Sequence, residues 1–233
     1  MFKAIYALIL CLITLPAQAG YQRGCADPAY HQYIESRLAA LEARAKRQLE
    51  LTEQTYTLSL QADSSQYQLM TLLGRHLTYS AQFEPIVLVE RKIERLFEHA
   101  EQLSREQVIA GEVIDGFSNE NHAVGIARAW LAYRQGAHSL ASEEMLNAID
   151  SNRSILLGAY GPDFELVRHM YHDGHIQPVM DYIAKTEQFW LGERAEALRS
   201  VWRKMIEAEC KIQFDSVDLI KAAELGLASN QLD

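Results

Sequence analysis

Histidine, glutamate and aspartate crowd one short stretch of the chain, "ELVRHMYHDGH", residues 165–175. His169, His172 and His175, with Glu165 and Asp173, are residue types that bind zinc or copper. A helix turns by about 100° per residue. Glu165, His169 and His172 would then share one face, with Phe164, Val167, Met170 and Tyr171 on the buried face opposite. Positions seven apart are about 10 Å apart along the axis, so at most His169 and His172 converge on one ion. Two histidines on one exposed face do not make a closed ligand set. A histidine near a helix C-terminus is also favoured by the macrodipole when protonated. The stretch is therefore read as a helix end. His169 and His172 remain the only metal candidates, and no metal or other cofactor is expected.

Other chemistry is sparse. There is no H-E-x-x-H, no G-x-S-x-G and no glycine loop of the phosphate-cradling kind. The acids Glu143-Glu144 and Glu193/Glu196 fit solvated faces of amphipathic helices. His31, His76, His99, His122 and His138 are scattered, and Tyr182, Phe189, Trp190 and Trp202 read as packing rather than a ligand cage. No catalytic residue is predicted, and the chain is not expected to be an enzyme. A formal net charge of −9 argues against nucleic acid as a partner, which requires a basic footprint.

Residues 1–19 have the form of a secretory signal. Lys3 precedes the run "AIYALILCLITL", too short to span a bilayer, and Ala17 and Ala19 occupy the small-residue positions of a cleavage site. The mature chain is expected to begin at Gly20, one unit more negative after the loss of Lys3, and to be periplasmic or secreted with no remaining membrane span. Cys11, inside the run and preceded by Leu10, is not placed for lipid attachment. Cleavage leaves Cys25 and Cys210. An even cysteine count in an oxidising compartment predicts one disulfide between them. A bridge needs Cα atoms within about 7 Å, so it also predicts a compact stack whose first helix returns to its last.

The elements around these residues are helices almost throughout, and the predicted fold class is all-α. Pro28, Pro85, Pro162 and Pro178 all fall at helix starts. A long N-terminal helix after Asp27-Pro28 carries the stripe Tyr30, Ile34, Leu38, Leu41, Ala45, Leu49. Asp63-Ser64-Ser65 interrupts it, and Leu69, Leu72, Leu73 and Leu77 mark a second helix. Another opens at Glu84-Pro85. Ser104 with Gln107 has the pattern of a capping box and predicts a new helix at "REQVIAGEVIDG", ended by Gly116. Further helices are expected between Ser118 and Gly136, after Gly136, between Gly161 and Gly174, from Pro178, and after Gly192. Short loops between them imply antiparallel hairpins.

The stretch "IARAWLAYRQGAHSLASEEMLNAID" resembles a tetratricopeptide repeat. Ala129, Trp130 and Tyr133 lie on its first helix, Gly136 at the turn, and Ala141, Met145 and Ala148 on its second. The following Gly161-Pro162-Asp163, Gly174, Val179, Tyr182, Phe189 and Trp190, with Trp202 beyond, look like the closing hairpin of bacterial helical-repeat proteins. The resemblance covers about residues 122–207. It implies antiparallel hairpins stacked as a short right-handed solenoid beside the long N-terminal helix. The division is then a signal at 1–19, an N-terminal helical region at 20–118, repeat-like hairpins at 119–212, and a partly disordered tail at 213–233. The function implied is an adaptor that binds another protein or peptide of the cell envelope, with Trp130, Tyr133, Arg134, Glu144 and Asn147 as the binding surface. The alternative is a helical hydrolase or small-ligand-binding protein whose site assembles from distant residues. A groove lined by Tyr, Arg and Asn favours the first. An enclosed pocket of converging carboxylates or histidines favours the second.

Overall fold

A computed structural model describes residues 21, 23–110, 118–150 and 155–227. The signal segment and the turn at Gly116 lie outside them. Within the described residues the protein is helical with no strand. The helices are α1 (Pro28–Gln61), α2 (Gln66–Phe83), α3 (Ile86–Ala110), α4 (Ser118–Arg134), α5 (His138–Asp150), α6 (Ile155–Tyr160), α7 (Glu165–His172), α8 (Ile176–Lys185), α9 (Glu193–Glu207) and α10 (Asp218–Glu224). None is long and apolar enough to cross a membrane.

Local chemistry sets the helix ends. The Asp27 carboxylate accepts a hydrogen bond from the Ala29 amide at 2.9 Å, ahead of Pro28 in the first turn. Ser65 caps α2 by accepting from Gln68 N. Gly136 takes the left-handed conformation, φ +76°, and the Ala137 amide reaches back to Ala132 O at 2.9 Å. This Schellman turn joins α4 to α5. The same turn joins α7 to α8, with His175 N on Met170 O at 2.9 Å.

One boundary differs from expectation. Ser104 starts no helix. Its hydroxyl donates to Ala100 O at 2.9 Å, and α3 runs on unbroken to Ala110. A serine inside a helix satisfies its hydroxyl on the carbonyl one turn back, and the buried stripe Ile93, Leu96, Leu103 runs up to it without a break. In the tail, the stretch "SVDLIKAAELG" carries α10, and the polar end expected to be frayed, 228–233, lies outside the described residues. Gln213, Phe214, Asp218 and Ala222 are buried, and α10 packs on α9.

The packing forms a closed circuit. α1 lies on α2, α2 on α3 and α4, α4 on α5, α5 on α8, α8 on α7 and α9, and α9 on α10. The start of α1 then meets the segment after α9. Tyr30 donates its hydroxyl to Lys211 O, Arg37 donates to Gln213 Oε1 at 2.9 Å, and Tyr21 N donates to Glu224 O at 3.1 Å. Cys25 and Cys210 meet here at disulfide distance, with Cα atoms 4.9 Å apart. The first helix thus returns to the last, as a bridge requires.

α1 spans about 50 Å at 1.5 Å per residue. Only Tyr30, Ile34, Ala45 and Thr52 on it are buried. Its apolar stripe is half-exposed at Leu38 and Leu41, midway along. There Leu38 packs against the edge of the core while the helix bridges a groove.

Candidate functional site

Beneath that bridge are two adjoining cavities of about 420 Å³ each. Glu165 and Arg168 of α7 form part of the wall of both. The two side chains are ion-paired, and Arg168 also donates to Gln213 O at 2.9 Å, so the partition is fixed.

The first cavity is walled by α1, α6, α7 and α9 and closed by the 214–216 turn. Arg37, Arg44, Arg168 and Arg194 line it, with Glu165 and Asp215 as the only carboxylates among the described residues. Both acids are engaged: Glu165 by Arg168, and Asp215 by Arg37 at 3.6 Å. Arg44 and Arg194 have no ion-pair or hydrogen-bond partner among the described residues. The floor is aromatic. Phe164 and Trp202 lie 4.6 Å apart by ring centroid, and Trp202 and Phe214 5.5 Å. Trp202 Nε1 donates to Asp218 Oδ2 at 2.9 Å, and Asp218 also accepts from Asp215 N at 3.0 Å. Burial pushes the Asp218 carboxyl up to about 7.

Trp190 is held from both sides. Its carbonyl accepts from Arg199 at 2.7 Å. A Cβ at Gly161, φ +84°, would stand 2.7 Å from the Trp190 ring. The glycine of the Gly-Pro-Asp start is thus also the seat of this tryptophan.

The second cavity is lined by Leu38, Glu42, Phe83, Trp130, His169 and His172 among others. The structure therefore places both metal candidates on a groove wall. His172 Nε2 is bonded to Ile212 O at 3.0 Å, and the His169 ring packs edge-on against Trp130 at 5.0 Å. Surrounding protein pushes both imidazoles below the usual histidine range, with Arg168 adding to the shift. His138 and His175 also come together, rings 4.3 Å apart, but as tilted stacked rings.

One trio among the described residues, Glu53, His76 and Glu84, brings possible ligand atoms within 4.8 Å of one another. A resident cation is already bound to two of its members. The Lys92 ammonium hydrogen-bonds Glu84 and donates to His76 Nε2 at 2.7 Å. Because Lys92 can only donate, Nε2 accepts, and the proton of the neutral ring sits on Nδ1. Nδ1 then donates to Thr52 Oγ1 at 3.0 Å, and Thr52 donates to Gln48 O at 2.7 Å. Burial first, then Lys92, lowers the His76 pKa to about 4. This directed network ties α1 to α2 and α3. His99 makes a second tie, between Tyr56 of α1 at 2.9 Å and Gln66 of α2 at 2.7 Å.

Of the surface expected to bind a partner, Trp130 faces the groove and is buried at its wall. Tyr133 is half-buried, its hydroxyl donating to Asp173, and its ring lies 5.7 Å from Trp130. Arg134 is exposed but donates to Ala81 O at 2.9 Å. Glu144 and Asn147 lie on α5, which lines neither cavity. Tyr182 and Trp202 are core, as expected, though Trp190 and Trp202 also line the first cavity.

The arginines were missed in the sequence. Arg37, Leu41 and Arg44 recur at helical spacing on the face of α1 that crosses the groove. Arginines at a core-facing register are the signal that could have been read.

Comparison with models of known protein families, with curated proteins and with solved structures finds no match.

Proposed function

We propose that this chain is an exported, non-catalytic binding protein whose groove beneath α1 holds a segment of another protein of the cell envelope. The observation that carries the reading is the groove itself. Residues from Arg37 to Ser216 converge on cavities walled by arginines and aromatic rings, bridged by a single helix. Concave surfaces of helical stacks bind extended segments in this way. Among the described residues, the carboxylates facing the first cavity are both bound by arginines, as a wall rather than a reacting pair would be.

In this reading the α4–α5 and α7–α8 hairpins are units of a short tetratricopeptide-like right-handed stack, supported by their matching Schellman turns. Export to the periplasm, with cleavage near Ala19, is supported by the cysteine pair at disulfide distance and by the lack of a spanning helix among the described residues. No cofactor is invoked, and nucleic acid is disfavoured as a partner by charge.

A second reading is a small-ligand-binding protein or hydrolase. Cavities of about 420 Å³ favour it, because they fall in the range of small-molecule sites.

Photo-crosslinking in cells tests the first reading. A benzophenone side chain at Leu41 or Tyr160 should yield adducts with one envelope protein. The same group at Glu50, exposed on α1 and lining neither cavity, should not. Turnover of a substrate that is abolished by Glu165→Gln would overturn it.

A further inference from the structure

Two features of the first cavity are left unexplained by the packing. The first is charge. Among the described residues, four arginines face two carboxylates, leaving two positive charges in excess within a chain of net −9. Arg44 and Arg194, on different helices, have no ion-pair or hydrogen-bond partner among those residues. The second is α6. This helix, "ILLGAY", buries none of its side chains. Ile155 is 87% exposed and Tyr160 82%, and Leu156 lies on the same face as Tyr160, one turn away. Tyr160 and Ala159 of this helix border the cavity, and Leu191 beside Trp190 is exposed as well. An exposed apolar ridge marks an interaction surface when it adjoins a recognition site.

We infer that the first cavity recognises an acidic peptide segment of the partner protein, whose carboxylate lies between Arg44 and Arg194 while flanking apolar side chains rest on the α6 ridge. The inference rests on the binding reading proposed above and adds the chemistry of the occupant. Guanidinium groups pair with carboxylates through charge-assisted hydrogen bonds, stronger where water is partly excluded. Arg37 and Arg168 are fixed by their own acids and hold the wall. Arg44 and Arg194 remain to meet the ligand.

An anionic membrane would offer similar chemistry, but the charge of the whole molecule separates the two. A flat anionic surface faces the full negative charge of the chain and is repelled. A single extended segment entering the groove feels mainly the local positive excess, focused by the cavity walls.

The test uses the full oxidised mature chain and fluorescein-labelled Glu-Asp-Leu-Trp-Glu-Asp-Phe-amide, read by anisotropy. This peptide should bind, and versions with Gln and Asn for the acids, or Ser for the apolar residues, should bind at least about tenfold more weakly. Arg44→Ala and Arg194→Ala should each weaken binding by about tenfold or more and reduce its salt dependence. Arg91→Ala, an exposed arginine on α3, should leave it unchanged. Circular dichroism confirms that each variant is folded. Equal binding of the acidic and amide peptides, or no loss in the arginine variants, overturns the inference. Flotation with phosphatidylglycerol vesicles that depends on Arg44 and Arg194, without peptide binding, overturns it in favour of lipid. Crosslinks from Leu41 that survive in Arg44→Ala/Arg194→Ala would sink the acidic preference but keep the groove, whereas loss of all groove crosslinks in the wild type would sink the groove itself.

Discussion

Three glycines separate two ways in which an added methyl group destabilises this fold. Gly136 has φ +76° and open space around it, so Gly136→Ala strains only the backbone. The left-handed conformation costs an L-residue about 1–2 kcal/mol. Stiffening of the unfolded chain cancels about 0.4–1 of this, leaving about 1 kcal/mol. Gly125 lies within α4 at a helical φ, but its Cβ would overlap Ala148 Cβ at 2.6 Å and Cα at 3.0 Å. Gly125→Ala gains about 1 kcal/mol of helix propensity and loses about 1–3 to overpacking, since the obstacle is a helix backbone. Gly161 combines both penalties. Its φ is +84° and its Cβ would sit 2.7–3.0 Å from three atoms of the Trp190 ring. Gly161→Ala should therefore cost about 2–4 kcal/mol, the sum of the backbone and overpacking figures. Urea denaturation followed by tryptophan fluorescence measures all three. A double-mutant cycle isolates the clash: in a Trp190→Leu background the cost of Gly161→Ala should fall to about 1–2 kcal/mol. A Gly161→Ala cost equal to that of Gly136→Ala, or unchanged by Trp190→Leu, would refute the reasoning.

Thiol titration of denatured protein from the periplasm should find no free thiol, and reduction should lower stability. The closed loop of 185 residues sets an upper figure of about 5 kcal/mol, and two free thiols would remove the bridge. His76 is held neutral down to about pH 4, against an ordinary 6.5, so the unfolded chain takes up a proton first as the pH falls. The stability present above about pH 6.5 should be lost progressively toward pH 4, by about 2 kcal/mol after allowance for its polar surroundings; melting curves of His76→Gln should show a flatter slope over that window. Asp218 works in the opposite sense: protonated in the fold up to about pH 7 against an ordinary 3.8, it costs stability as the pH rises through that range. Asp218→Asn should remove this slope, and an unchanged profile would refute the assignment. Zinc calorimetry on tag-free protein should show no tight one-to-one site that disappears in His169→Ala/His172→Ala.

The helices were legible because their signals are local. Proline at a first turn, glycine at a left-handed end and an apolar stripe each act within a few residues, and Pro28, Gly136 and Val167 sit where those signals put them. The cysteine pairing was legible because only two partners remained. The groove was not. Its walls come from positions as far apart as Arg37 and Asp215, and nothing within one helix says what its face meets. Leu38 and Leu41 read as core because spacing cannot distinguish a face packed on a neighbour from one spanning a gap. α6 lacked a periodic signal at six residues, and Ser104 showed the letters of a cap in a helix that had no reason to stop. A tight helix approach, Gly125 on Ala148, is one turn from the Ala129 that the sequence suggested.

The closure of the circuit at Cys25 and Cys210 has a mechanical side. When the oxidised chain is pulled from its two ends, tension passes through the cysteine pair and bypasses nearly all the helices. Only residues outside the loop can extend. Once the bridge is reduced, the 185 residues of the loop enter the path of the force, adding roughly 600 Å of contour length at about 3.3 Å per residue. The start of α1 then carries the strain through Tyr30 on Lys211, Arg37 on Gln213 and Tyr21 on Glu224. Those contacts run between adjacent chain ends and are the first to part, so the helix spanning the groove would swing away before the hairpins behind it lose a single turn.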